Sequence, residues 1–205
     1  MEENRAELMG LCVREAGKTV EDALAEVREG IDFCRYYAAR GRADFGGDGR
    51  HLPGPTGERN TLSLTGRGTF VCISPWNFPL AIFIGQVSAA LMAGNAVIAK
   101  PAEQTPLIAM RMARLILEAG VHPDAFTLLP GDGITGGMMT AHRDVAGVAF
   151  TGSTEVARII NRALADKDGP IVPLIAETGG QNVMIVDSSA LPEQVVDDVL
   201  VSAFG

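Results

Sequence analysis

Residues 79–129 read PLAIFIGQVSAALMAGNAVIAKPAEQTPLIAMRMARLILEAGVHPDAFTLL and decide the fold. Pro79–Ala93 and Thr105–Ala119 have the length and apolar pattern of helices, and a short apolar run follows each of them. These runs, Ala96–Lys100 and Phe126–Leu129, have the length of buried strands. A chain that alternates in this way predicts a parallel sheet with helices on its faces.

The same alternation continues toward the C-terminus. We predict a short helix from Ile134, a helix at Ser153–Asp166 and a last helix from Pro192, with strands at Ala146–Thr151, Val172–Ala176 and Val183–Val186. The fold class is therefore α/β, a doubly wound, Rossmann-like parallel sheet. Ligands of such sheets bind at the carboxyl ends of the strands.

The N-terminal third has a different pattern. Residues 2–17 predict one helix, and a second runs to about Arg40, with Thr19 as its N-cap and Asp22 at the capping-box position. Gly41–Gly57 is rich in Gly, Pro and Asp and predicts a loop. Thr61–Thr65 and Thr69–Ile73, joined by Gly66-Arg67-Gly68, predict a β-hairpin. We expect residues 1–58 to form an N-terminal helical segment and loop, and residues 59–205 to form a second domain built on the parallel sheet.

Composition narrows the class of protein. A net charge of −8 argues against nucleic acid as a partner. Cys12, Cys34 and Cys72 have no CxxC spacing, and the three histidines have no metal-ligand spacing, so we predict no metal site and a cytoplasmic location. Thr69–Ala99 is the one long apolar stretch, and its Pro, Gly and Asn residues break it, so we expect no membrane insertion.

Two polar segments follow predicted strands in the first half of the sheet. In Ser74-Pro75-Trp76-Asn77-Phe78-Pro79, two prolines fix a sharp turn before a helix, where an Asn amide can face a developing oxyanion or simply cap the turn. In Ala99–Pro106, Lys100 and Glu103 can both reach the hydroxyls of one ligand, or belong to a solvated loop.

Two more segments follow strands in the second half. Phe150-Thr151-Gly152-Ser153-Thr154-Glu155 places free N–H groups at a helix N-terminus, which suits a phosphate but also plain helix capping. The ordinary GxGxxG fingerprint is absent. In Glu177-Thr178-Gly179-Gly180, a carboxylate precedes two glycines; a partly apolar cleft would raise its proton affinity and suit a general base, whereas an exposed turn glutamate is the alternative.

In this order and spacing, PWNFP, KPAEQTP, FTGSTE and ETGGQN resemble the aldehyde dehydrogenase superfamily over nearly the whole chain. The resemblance implies that residues 59–205 are an NAD-binding domain that is truncated before the catalytic-cysteine domain. It also implies that Asn77 is the side-chain half of the oxyanion hole and Glu177 the general base. It implies that Lys100 and Glu103 bind the adenosine ribose and that Ser153 binds the pyrophosphate of the cofactor. The other residues that it places along the cofactor are Ser74, Pro75, Trp76, Gly133, Phe150, Gly152, Val156, Thr178 and Gly179.

Finer features resemble one branch of that superfamily. They are REAGKT at residues 14–19, AEVRE at 25–29, PTGERN at 55–60 and GSTEVA at 152–157. The branch is the L-glutamate γ-semialdehyde dehydrogenase half of bifunctional proline utilization A, which implies a homo-oligomeric parent enzyme. FAD would belong only to a proline dehydrogenase half of that parent. A broad-specificity aldehyde dehydrogenase and a noncatalytic nucleotide-binding module are the alternatives.

The family's nucleophilic cysteine would lie thirty-odd residues beyond Glu177, and only 28 residues follow Glu177 here. We interpret Cys72 as a buried thiol and not as a substitute, because reactive thiols need exposed, electropositive surroundings. The chain alone is therefore expected to lack dehydrogenase activity. Glu103 near the ribose would repel a 2′-phosphate, which predicts NAD as the cofactor over NADP.

Overall fold

The computed structural model describes the backbone of residues 1–204 and the side chains of residues 1–203. Its five-stranded sheet is parallel throughout, with the strand order β5-β4-β3-β6-β7, so the α/β fold class predicted from the sequence is confirmed. The helices are α1 (Arg5–Ala16), α2 (Val20–Asp44), α3 (Ala81–Met92), α4 (Pro106–Glu118), α5 (Gly133–Ala141), α6 (Thr154–Ala165) and α7 (Pro192–Phe204). The strands are β1 (Arg50–Leu52), β2 (Asn60–Leu62), β3 (Thr69–Ile73), β4 (Ala96–Lys100), β5 (Phe126–Leu128), β6 (Val145–Gly152) and β7 (Leu174–Thr178).

Strand β3 lies at the centre of the sheet because its side chains are buried on both faces. Phe70 and Cys72 belong to the larger core, which the sheet shares with α1 to α4. Val71 belongs to the second core, formed with α5 and α6. Side chains alternate between the two faces of a strand, so this apolar run supplies both cores at once.

The predicted pairing of Thr61–Thr65 with Thr69–Ile73 is wrong. The antiparallel hairpin is formed instead by β1 and β2, with Arg50 opposite Leu62. Thr69–Ile73 pairs with β4 and β6, because burial on two faces is available only inside the parallel sheet. The Gly66–Gly68 segment is no hairpin turn, and the N–H groups of Arg67 and Gly68 donate to Asn95 Oδ1. The boundary expected at residue 58 falls between the two strands of the observed hairpin, and that division stays a prediction.

Helix α2 begins as predicted and ends later than predicted. Thr19 Oγ1 accepts a hydrogen bond from the Asp22 N–H at 3.1 Å, which confirms the N-cap. The helix continues past Arg40 to Asp44, and the Phe45 N–H donates to the Gly41 carbonyl at 2.9 Å at its end; Gly41 packs against Met92 of α3, which crowds the space a Cβ would take. The loop predicted to begin at Gly41 therefore begins after Asp44.

The strand predicted at Val183–Val186 is also wrong. These four residues have no regular structure, and Val183 and Ile185 are 79% and 88% exposed. Among the residues that the structure describes, no strand runs beside them, and an apolar run without a hydrogen-bonding neighbour forms no sheet. In the same part of the chain, no helix is long and apolar enough to cross a lipid bilayer.

Candidate functional site

A groove of about 1200 Å³ takes in the carboxyl ends of β3, β4, β6 and β7 and continues along α3 to Phe33 and Tyr37 of α2. Parallel strands bring these ends to one edge of the sheet, where the polar segments of the sequence follow them. All fourteen candidate residues named from the sequence line this groove: Ser74, Pro75, Trp76, Asn77, Lys100, Glu103, Gly133, Phe150, Gly152, Ser153, Val156, Glu177, Thr178 and Gly179. Their positions are thus brought together, while their roles remain predictions.

The turn after β3 forms one wall. The Ser74 N–H donates to the Lys100 carbonyl at 3.2 Å, which ties the ends of β3 and β4 together. Ser74 is buried, and its Oγ has no hydrogen-bond partner in the described part of the chain. Trp76 is 55% exposed and Asn77 is also exposed, so both present their side chains to the groove. A buried hydroxyl without a partner is available to a polar ligand.

Lys100 is buried where β4 ends. Its Nζ donates to the Pro101 carbonyl at 3.2 Å. Burial lowers the pKa of Lys100, and the negative charges of Glu103 and Asp132 partly oppose that effect. Asp132 caps α5 by accepting from the N–H groups of Ile134 and Thr135, which places Gly133 beside the lysine end of the groove. An ammonium group held in low dielectric interacts strongly with any hydroxyl or anion that reaches it.

Helix α6 begins in the groove. Ser153 is its N-cap, and Ser153 Oγ accepts from the Val156 N–H at 3.2 Å. Helix capping and phosphate binding were alternatives from the sequence, and the geometry is compatible with both, because the hydroxyl hydrogen is still free to donate. Gly152 packs under the Phe150 ring, where a Cβ would lie 2.6 Å from Phe150 Cζ. The close approach requires glycine here and leaves the N-terminus of α6 open to an anion.

Strand β7 forms the opposite wall. Its register places Glu177 beside Thr151 and Thr178 beside Gly152. The Gly179 N–H donates to the Gly152 carbonyl, and Thr154 Oγ1 donates to the Gly179 carbonyl, so β7 is tied to the start of α6. Glu177 is exposed, which agrees with the exposed-glutamate alternative from the sequence and not with the partly apolar cleft. Its strand lies at the edge of the sheet, so β6 covers it on one side only.

Several groove residues were not named as candidates from the sequence, and two of them, Gln86 and Thr151, are joined by a hydrogen bond. Gln86 Nε2 donates to the Ile73 carbonyl at 3.2 Å and to Thr151 Oγ1 at 3.0 Å, which links α3 to the ends of β3 and β6 under the groove. Gln86 Oε1 is buried and has no hydrogen-bond partner among the described residues. The available signal was a glutamine in the run from Ala81 to Met92, whose only other polar side chain is that of Ser88.

The cysteines lie away from this groove. Among the described residues, the lining includes none of Cys12, Cys34 and Cys72. Cys72 is 2% exposed, as expected from its place between Val71 and Ile73, and burial raises the pKa of its thiol to about 12. The site can therefore offer an amide donor, an ammonium group, a helix N-terminus and a carboxylate, but no thiolate of its own.

Comparison with known proteins relates this geometry to a family. The model of the aldehyde dehydrogenase family matches residues 1–205. The chain is 58% identical over 200 residues to the bifunctional protein PutA of Rhizobium meliloti, covering 96% of this chain and 15% of that protein. It is 37% identical over 205 residues to a 1-pyrroline-5-carboxylate dehydrogenase of Staphylococcus aureus, covering 98% of this chain and 40% of that protein.

Two solved structures share the fold closely. A variant of Bradyrhizobium japonicum proline utilization A has a TM-score of 0.96 and 65% identity, covering 99% of this chain and 21% of its own. A 1-pyrroline-5-carboxylate dehydrogenase from Thermus with bound NAD has a TM-score of 0.94 and 35% identity, covering 100% of this chain and 40% of its own. The chain thus spans well under half the length of these relatives. It belongs to the aldehyde dehydrogenase family.

Proposed function

We propose that this chain is the NAD-binding part of an L-glutamate γ-semialdehyde dehydrogenase, which oxidises that aldehyde to L-glutamate in proline catabolism. One observation carries the proposal: fourteen residues scattered over 106 positions, from Ser74 to Gly179, line a single groove. The likeness to PutA and to 1-pyrroline-5-carboxylate dehydrogenases supports the substrate. By the same likeness we place the parent in the cytoplasm as a homo-oligomer, with FAD confined to a proline dehydrogenase half.

NAD fits the polar groups that the groove offers. Lys100 and Glu103 would hold the adenosine ribose, and Ser153 at the start of α6 would hold the pyrophosphate. Ser74 Oγ lies in the wall formed by the turn after β3. It has no hydrogen-bond partner among the described residues, so it is available to a polar group of the ligand. Bound NAD is also what the Thermus relative contains. Glu103 favours NAD over NADP because its carboxylate would repel a 2′-phosphate.

The remaining residues suit the aldehyde. Bound NAD would supply the hydride acceptor. The exposed Asn77 amide would donate to the oxygen on which negative charge develops, and Glu177 would take a proton from the attacking water. The family's reaction also needs a cysteine nucleophile, and none of the three described here lines the groove, so we propose that this chain alone has no dehydrogenase activity.

Energy transfer from Trp76 to NADH tests the binding site directly. Trp76 is the only tryptophan of the chain and lies in the groove, so bound NADH should quench its emission and show sensitised fluorescence. NAD should reverse both effects by competition. An absence of transfer at millimolar NADH, with a chain that is folded by circular dichroism, would overturn the proposal. NADH production from the semialdehyde by this chain would contradict its inactivity.

Glu103→Gln tests the choice of cofactor with the same signal. Removing one negative charge near the ribose should improve NADPH binding relative to NADH by about three- to tenfold. Glu21→Gln is the matched control, since Glu21 is an exposed glutamate of α2 outside the groove. If the ratio of NADPH affinity to NADH affinity is the same in both variants, Glu103 does not contact the ribose.

A further inference from the structure

Helix α3 follows residues 74–80, the Ser74–Leu80 turn. No side chain at its own N-cap position accepts a hydrogen bond from its first turn. Leu80 occupies the N-cap position and offers no side-chain acceptor. The N–H groups of Leu80 and Ala81 donate instead to Glu26 Oε1, at 2.7 and 3.2 Å. Glu26 lies on α2, 54 residues earlier in the chain, and is 1% exposed. The helix that carries the turn is therefore capped by a carboxylate from a distant element.

The second oxygen of this carboxylate forms an ion pair with a lysine that also contacts the turn, and it accepts no hydrogen bond among the described residues. Lys18 Nζ lies 3.1 Å from Glu26 Oε2 and 3.9 Å from the centroid of the Phe78 ring. The Lys18 side chain is 11% exposed. A cation over an aromatic face is attracted by the ring, and the attraction grows when water is excluded. Lys18 and Glu26 thus hold Phe78 from one side and the start of α3 from the other.

The contacts of Lys18 and Glu26 affect the groove because two side chains of the turn, those of Trp76 and Asn77, make few contacts of their own. Trp76 and Asn77 are exposed and make no side-chain hydrogen bond among the described residues. Their positions follow from the backbone between Ser74, which is tied to β4, and Leu80, which is tied to Glu26. A catalytic donor needs its geometry fixed to a fraction of an ångström.

We propose that Lys18 and Glu26 are a positioning pair that fixes the Ser74–Leu80 turn, and through it Asn77, in the conformation that forms the groove. A catalytic role for Asn77 in this position rests on the proposed function. The effect of the pair on the conformation of the turn is independent of that function, and it can be measured without a ligand. Neither residue lines the groove, so both act through the turn.

The fold contains a matched control for this pair. Glu15 on α1 also caps a distant helix, α4: its Oε1 accepts from the Leu107 N–H at 2.7 Å and its Oε2 from the Ile108 N–H at 2.8 Å. Helix α4 follows the other strand, β4, and carries no part of the Ser74–Leu80 turn. Glu15→Gln weakens a helix cap without touching the turn, whereas Glu26→Gln weakens the cap on which the turn depends.

Acrylamide quenching and anisotropy of Trp76 fluorescence test the proposal, with urea unfolding measured beside them. Glu26→Gln and Lys18→Met should both raise the Stern–Volmer constant and lower the anisotropy. Because Trp76 is already 55% exposed, local opening can raise the constant by roughly twofold at most. Lys18→Arg keeps the cation over Phe78 and should restore the wild-type value. Glu15→Gln should lower stability and leave Trp76 unchanged.

The outcomes separate the possibilities. Loss of stability in all variants with unchanged Trp76 quenching would make the pair a structural ion pair only and would overturn the proposal. Lys18→Met leaves the Glu26 caps in place, so it tests the turn even if Glu26→Gln does not fold. Altered quenching in a chain that binds no NADH would sustain the positioning pair and reject the cofactor site.

Discussion

The groove has two walls that the chain builds in different ways. Strands β3 to β5 with α1 to α4, the covered half, bury their apolar side chains: Ile108 is 0% exposed. Residues 171–203, the open half, include β7 and most of α7 and leave most of their apolar side chains exposed: Ile171 is 91% exposed, although Val172 and Leu174 pack partly buried against the second core. On the covered half the site residues Ser74 and Lys100 are buried, whereas Glu177 on the open half is exposed.

The difference shows that backbone pairing alone is enough to place a strand, but not to enclose its side chains. Strand β7 is held in register by β6 and by the link from Gly179 to Gly152. Lys100 is fixed by the core around it, and its pKa is lowered by that burial. The lysine end of the groove is therefore preorganised for a ligand, and the carboxylate end is placed by hydrogen bonds with little packing behind them.

Thiol reactivity should show the largest contrast between the halves. Burial raises the pKa of Cys72 to about 12, so at pH 8 its thiolate fraction is about a thousandfold below that of an ordinary thiol. Ile171→Cys places a thiol at an exposed position of the open half. Mass spectrometry of the iodoacetamide-treated folded chain should find the new cysteine alkylated and Cys72 intact. Comparable alkylation of the two would mean that the covered half is not closed.

Matched isoleucines test the same contrast through stability. Ile108→Ala removes a fully buried side chain and should lower the free energy of unfolding by about 2–5 kcal/mol. Ile171→Ala should change it by less than about 0.5 kcal/mol, because the side chain is already in water. Urea unfolding followed by circular dichroism measures both. A large loss from Ile171→Ala would show that the open half packs in solution.

Much of the chain from Pro79 to Ser153 could be predicted from the sequence because its signals are local. From Pro79 to Ser153 the predicted helices and strands begin and end within two residues of the observed ones. The site segments follow from the same reasoning, since polar residues after parallel strands must meet at one edge. Ser153 shows how local the signal is: its hydroxyl caps the helix that it begins.

The incorrect or missing predictions concern contacts between residues that are distant in the sequence. Phe70 packs in the larger core and Val71 in the second core, and no pattern within Thr61–Ile73 shows that both faces of this strand are buried. Val183–Val186 has the composition of a strand but no neighbour to pair with among the described residues. Glu26 lies 54 residues from the N–H that it caps, and Lys18 joins it only in the folded chain. Sequence pattern predicts an element, but the completion of its hydrogen bonds depends on tertiary structure.

Two lysines give the smallest effects and the sharpest test of the groove, because their substitutions should change stability in opposite directions and only one of them should change NADH binding. Lys100→Met should weaken NADH binding about ten- to a hundredfold, as expected for loss of a charged hydrogen bond. Lys167 Nζ donates to the His142 and Val145 carbonyls, outside the groove. Lys167→Met should therefore leave NADH binding unchanged and cost about 1 kcal/mol of stability. Trp76-to-NADH energy transfer and urea unfolding measure the two quantities.

The stability of the Lys100 variant should depend on pH in a defined direction. Burial lowers the pKa of Lys100 in the folded chain below its ordinary value of 10.5, so the folded state disfavours the charged form. Lys100→Met removes that charge but keeps an apolar stem, and should raise the free energy of unfolding at pH 7. As the pH rises from the folded pKa toward 10.5, the wild-type chain sheds the proton earlier when folded and gains stability, so the gap to the variant should narrow. Two results would contradict this prediction: a difference in free energy of unfolding that widens with pH, or a variant less stable than wild type at pH 7. Either would mean that the Lys100 ammonium group stabilises the fold.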